Sequence, residues 1–176
     1  WPAPQRYDCH NNLFLHEGQW VATTRNYVDD ERMIAIQLSS SDALDSFDTT
    51  VDPVTTMSLD KDHQLYSQIT KFWYGVYLGF VMVYDSKDKS DFGGGKVHCR
   101  LAYSKDPTDG WDWVDTDDFI PLGTQGANTS DPANAFDSHV CFAAKPVAYG
   151  GVERIYYMGG NGPHSGERNS SLGLAV

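Results

Sequence analysis

KFWYGVYLGFVMVYD, residues 71–85, is followed after a polar interval by VHCRLAYSKD, residues 97–106. Both segments are short, apolar and rich in β-branched and aromatic residues, the composition of strands. The interval, SKDKSDFGGG (86–95), is turn chemistry. The same strand-and-turn rhythm extends outward in both directions. QWVATTR (19–25), RMIAIQLS (32–39) and RIYYMGG (154–160) read as further strands, separated by YVDDE (27–31), KDPTDGW (105–111), YGGVE (149–153) and GGNGPHSGE (159–167). Long amphipathic helices are hard to find, so the chain is expected to be all-β: a barrel, sandwich or propeller.

The strands recur in a fixed order. Unit one runs from Asp8-Cys9-His10 through LFLHEGQWVATTR to RMIAIQLSSSD. Unit two runs from Asp62-His63 through KFWYGVYLGFVMVYD to VHCRLAYSKD. Unit three runs from Asp137-Ser138-His139 through VCFAAKPVAYGGVERIYYMGG to NSSLGLAV. IQLSSSD (36–42) overlays RLAYSKD (100–106), a strand leading into a Ser-x-Asp turn. An aromatic follows each: Phe47 in unit one, Trp111 and Trp113 in unit two. A sandwich or jelly roll shares short strands and such turns. Agreement of three features in one order favours a β-propeller, with about two and a half to three blades here; a closed ring takes roughly four to eight, and the five-bladed type is what the resemblance given below implies. One partial domain over 1–176 is expected, in units of about 8–55, 60–125 and 136–176. The third unit stops at GLAV, before its own Ser-x-Asp turn, which reads as a fragment of a longer protein or one that self-associates through open strand edges.

A net charge of −11 argues against a general nucleic-acid surface. Acidic runs such as VDDE (28–31) and DTDD (115–118) read as solvated loops. No apolar run approaches the roughly 18 residues of a membrane-spanning helix. WPAPQRY shows no cleavable signal, and the compartment stays open, secreted or periplasmic being compatible. Cys9, Cys99 and Cys141 are odd in number and widely spaced, so buried free thiols are expected rather than a disulfide framework. Two glycosylation sequons, at Asn128 and Asn169, are common by chance.

YDCHNNLFLHEGQWVATTRNY (7–27) resembles the blade opening of five-bladed β-propeller proteins related to glycoside hydrolase families 32 and 43, in particular the family 32 N-terminal-like group. DHQLYSQITKFWYGVYLGFVMVYD and LAYSKDPTDGWDWVDTDDFIPLG resemble the next blade, and RIYYMGGNGPHSGERNSSLGLAV the one after. The Trp-x-Asn-Asp-Pro-Asn, Arg-Asp-Pro and Glu-Cys signatures of invertases are absent.

The resemblance implies a carbohydrate substrate, no cofactor, and a pair of carboxyl groups flanking the scissile bond. Blade openings converge on a propeller's axis, so Asp8, Asp62 and Asp137 are candidates for the catalytic set, with Asp8 as base or nucleophile and Asp62 or Asp137 holding sugar hydroxyls and tuning the acid. The acid is sought in Glu167 or Glu153, by analogy with a later-blade Glu, and in His139. His10, His63 and His164 accompany these carboxylates. Asn11 and Asn12 are suited to sugar hydroxyls, Arg25 to a carboxylate, and Trp73, beside Tyr74 and a glycine, to stacking. The bland alternative is structural: Asp before a strand commonly caps a turn. The same Asp-His set could bind a metal, but no local ligand spacing supports one. DSKDKSD (85–91) lacks the central Gly and terminal Glu of a calcium loop. SKDPTDGWDW resembles the structural Asp-box turn of sialidases.

Overall fold

The computed structural model describes residues 10–29, 31–44, 46–48, 50–86, 95–128 and 131–176. Among them are twelve strands and no helix. The first unit is the antiparallel meander β1 (Asn12–His16), β2 (Gln19–Val28), β3 (Glu31–Leu38) and β4 (Val54–Met57). The second is β5 (His63–Trp73), β6 (Val76–Asp85), β7 (Val97–Ser104) and β8 (Asp112–Ile120), each paired with the next. The third is built on β11 (Val152–Gly160), which pairs with β12 (Ser170–Ala175) on one side. On its other side lie β9 (Val140–Ala143) and β10 (Val147–Tyr149) in succession. They are one strand interrupted before Pro146, which has no N–H to continue the ladder. Three hairpins, at Glu17-Gly18, Tyr74-Gly75 and Gly150-Gly151, close on two residues that both have positive φ. That turn matches the twist of the flanking strands.

The middle unit is covered on both faces. Along β6, Phe80, Met82 and Tyr84 face the third unit, with Cys99, Val140, Cys141, Phe142 and Tyr157. Val81 and Val83 alternate with them and, with Ala102 of β7, face the first unit against Ile34 and Met57. This explains why VYLGFVMVYD is apolar without interruption: a strand buried on both sides has no solvent face to mark with polar residues. Trp111 lies across both patches of the first seam, packed with Phe14, Val21, Ile36 and Tyr77 as well as the valines. A Cβ at Gly79 would stand 3.0 Å from the Trp111 ring, so the bare backbone lets the indole lie flat on the sheet. The second and third units are also joined through the backbone. Val97 pairs with Val140 in parallel, and its N–H donates to His139 O at 2.9 Å. The result is three blades stacked face to face, the propeller arrangement expected from the repeat.

Two sequence readings change in detail. The Ser-x-Asp overlay is displaced by one residue. Ser39, not Ser40, is the counterpart of Ser104: both are buried, and each hydroxyl donates to the carbonyl two residues on, Ser41 and Asp106. DTDD (115–118) is not a loop but the middle of β8. Acidic side chains there keep an outer strand from pairing with other chains, and Asp118 meets His98 at 2.8 Å and Arg100 at 3.7 Å. The expectation for cysteine holds at Cys99 and Cys141, which are free and buried. Cys9 lies outside the described residues, as do most of DSKDKSD and part of the Asn128 sequon.

Candidate functional site

One face of the first unit changes character along its length. On the side facing β5, Val21, Thr23, Arg25 and Tyr27 follow each other at two-residue spacing on β2. Their cross-strand partners on β3 are Leu38, Ile36, Ile34 and Arg32. Val21, Ile36 and Ile34 pack in the seam, while Leu38 lies at its exposed margin. The other half presents two guanidinium groups and a phenol.

The second unit supplies the hub. The β5–β6 register slips between Leu65 and Ser67, leaving Tyr66 as the extra residue of a β-bulge. A bulge re-aims a side chain that a regular strand would direct elsewhere. The Tyr66 ring carries Arg25 at 4.2 Å and Arg32 at 6.0 Å from its centroid. His10, Phe142 and His164 meet it edge-on at 5.4, 5.3 and 4.8 Å. His10, with φ 63°, stacks on Phe142 at 4.9 Å with the planes 9° apart. Arg32 also lies 5.2 Å from the Tyr84 ring and donates to Tyr27 Oη at 3.1 Å and to Gln64 Oε1.

The third unit contributes Phe142 from β9 and the loop after β11. This loop is tightly folded: Asn161 and Asn169 bond each other across its base, and Gly166 N donates to Pro163 O at 3.0 Å. A Cβ at Gly162 would fall 2.3 Å from Glu167 O, which accounts for the glycine there. Arg168 donates to Pro163 O and His164 O, and His164 N donates to Gly95 O at 2.8 Å. His164 is thereby held against Tyr66 and Tyr84. Burial, followed by the charges of Arg168, Arg32, Arg25 and His10, pushes its pKa down to about 4.

Of the residues singled out in the sequence, the structure thus gathers His10, Arg25 and His164. Asn11 is exposed beside His10, and Asn12 opens β1 opposite Thr23. Asp8 lies outside the described residues. Asp62 sits in a turn closed by Asp60, whose carboxylate accepts from Asp62 N and His63 N at 2.9 Å and meets the His63 ring at 3.0 Å. The turn residue of the second opening is therefore Asp60. Asp137 is buried and accepts from Tyr157 Oη at 2.7 Å. His139 is fully buried beside Ser138 Oγ at 2.9 Å. Glu167 is exposed, and Glu153 pairs with Lys71 at 2.6 Å. Trp73 ends β5, seven residues and about 23 Å of strand from Tyr66. Tyr66 itself is not legible in the sequence, because only strand pairing reveals a bulge. Among the described residues, no three His, Cys, Asp or Glu side chains gather as metal ligands.

No protein-family model and no curated protein matches the chain in sequence. Solved structures do match in fold. Zg3597, a family 117 glycoside hydrolase produced by the marine bacterium Zobellia galactanivorans, superposes with a TM-score of 0.65 at 15% identity, over 96% of this chain and 51% of its own. A complex of BT0996 with RGII gives 0.58 at 11% identity, over 94% and 45%. A structure described as a glycoside hydrolase gives 0.54 at 12%, over 89% and 40%. The chain therefore spans about half the length of the solved structures it matches, and its fold is one found in glycoside hydrolases.

Proposed function

We propose that this chain binds a carbohydrate at the Tyr66 cluster and belongs to a glycoside hydrolase-like propeller related to families 32 and 43. The observation that carries the proposal is convergence. His10 and Arg25 come from the first unit, Phe142 and His164 from the third, and all meet the Tyr66 ring of the second, with Tyr84 of the second unit beside His164. Sites in closed stacks of sheets form where the units meet, and the fold resembles those of glycoside hydrolases. In the catalytic form of the proposal, Asp8, two residues before His10 in the chain, is the base or nucleophile. Asp62 or Asp137 holds sugar hydroxyls and tunes the acid, which is Glu167, Glu153 or His139. Self-association through open strand edges belongs to the same proposal.

The test is hydrolysis of a panel of aryl glycosides alongside glycan binding, with Asp8→Asn, Asp62→Asn, Asp137→Asn, Glu167→Gln and His139→Gln compared. A catalytic acid or base should cost at least a hundredfold in kcat while binding and Tm persist. A second reading, a binding propeller without turnover, is favoured by the engagement of the buried Asp137 carboxylate with Tyr157. Binding without hydrolysis across the panel selects it. Absence of binding to every glycan would sink both.

A further inference from the structure

Positive charge is concentrated where this acidic chain can least ignore it. The whole molecule carries −11. Yet the guanidinium groups of Arg25 and Arg32 face one aromatic ring, beside the imidazole of His10 and a His164 held neutral by its lowered pKa, with the guanidinium of Arg168 behind His164. Bringing like charges together costs Coulomb energy. The local structure offsets part of that cost. Tyr66, Tyr27 and Tyr84 turn their rings towards the guanidiniums, and Tyr27 and Gln64 accept from Arg32. Among the described residues, the charged groups that press on His164 are Arg168, Arg32, Arg25 and His10.

A neutral sugar gives no reason for this arrangement. Its hydroxyls both donate and accept, and they are best met by amides and carboxylates. A guanidinium fork has only donors, in a planar spacing that fits two oxygens of one oxyanion. The accessible members of the cluster are the half-buried Arg32, His164 and Arg168 and the exposed His10, all placed around the buried Tyr66, Tyr84 and Phe142. That geometry is a cationic rim over an aromatic floor.

We infer that the Tyr66 cluster recognises an anionic sugar, one bearing a carboxylate or a sulfate ester, with Arg32 as the rim residue that meets the oxyanion. This inference rests on the carbohydrate reading and names its substrate class. A uronate and a sulfated sugar present the same chemistry to a guanidinium, so the experiment takes both.

Binding would be measured by calorimetry on the intact chain with four probes: an oligogalacturonate, its carboxyl-reduced counterpart, a sulfated galactan oligosaccharide and its desulfated counterpart. At least one charged probe should bind tenfold or more tightly than its neutral counterpart, and this margin should shrink as salt rises. Arg32→Met should remove most of the margin, and Arg32→Lys should keep part of it, since charge survives but the fork does not. Equal binding of charged and neutral probes would overturn the inference and leave the carbohydrate reading intact. Failure of all four, together with a broad neutral glycan panel, would remove both. Should Arg32→Met fail to fold, the salt dependence of the wild type decides the matter: an affinity independent of salt overturns the inference.

Discussion

At Tyr157 a single phenol does two jobs. Its hydroxyl donates to the buried carboxylate of Asp137, and its ring lies against Gly173, where a Cβ would stand 2.2 Å from Cζ. Burial and the neighbouring Asp137 push the phenol pKa well above its ordinary value, so it remains a donor. Tyr157→Phe should cost about 2 kcal/mol, a fall in Tm of roughly 4–8 °C by thermal melting. Gly173→Ala should cost about 1–3 kcal/mol by overpacking the same ring. If Asp137 acts in chemistry instead, Tyr157→Phe should alter turnover more than Tm. His164 gives a pH dependence. Its pKa is about 4 in the folded chain against 6.5 ordinarily. Between these values the unfolded chain takes up a proton that the fold refuses, so the contribution to stability is complete above pH 6.5 and is lost as pH falls towards 4. Urea midpoints from pH 7.5 to 4 should decline, and His164→Asn should decline less; parallel curves would refute the assignment. His10, Arg25 and His164 are visible in the sequence as polar residues near strand ends, whereas Arg32 and Arg168 are not, since ordinary strand and loop arginines carry no mark of what they face. Tyr66 is not, since one tyrosine among the ten in the chain carries no mark of a register slip.

Hairpins and strands carry most of what is legible. The decisive run 76–85 announces a strand, and its lack of alternation records two covered faces. A further parallel between the units appears only in the structure, in two Asp-x-Thr turns. Asp48 accepts from Thr50 N at 2.8 Å as Asp106 does from Thr108 N at 2.9 Å. Register is not legible, which is why the serine overlay slips by one and the acidic stretch of β8 reads as a loop. The Tyr74-Gly75 turn offers a test. Tyr74 is 90% exposed and holds φ at 45°, a conformation that suits Asn far better than an aromatic. Among the described residues, its ring meets Trp73 at 5.1 Å. Tyr74→Asn should leave stability unchanged or raise it by about 0.5 kcal/mol, read as the denaturation midpoint. It should leave glycan binding unchanged if recognition resides at Tyr66, at the other end of β5.

Across the whole molecule, stability lies in two seams rather than in one central core. Trp111 spans the first of them, packed against two clusters whose members come from β1, β2, β3 and β6 among others. Trp111→Ala should cost about 3 kcal/mol. It should also expose the first unit to protease before the other two, seen as early cleavage within residues 12–57. The second seam, between the middle and third units, holds the pair of thiols. Cys99 and Cys141 hydrogen-bond one another there with almost no exposure, and the bond and burial push the Cys141 thiol far up. A buried thiol with a raised pKa does not react until it is uncovered. The pair is therefore a clock. In a Cys9→Ser background, a chromogenic disulfide reagent can reach these sulfurs only when the blades part. Both should react in one exponential phase whose rate equals the rate of parting. Two separate phases would mean that β7 and β9 fray independently, and that the seam is a set of local contacts rather than a cooperative joint.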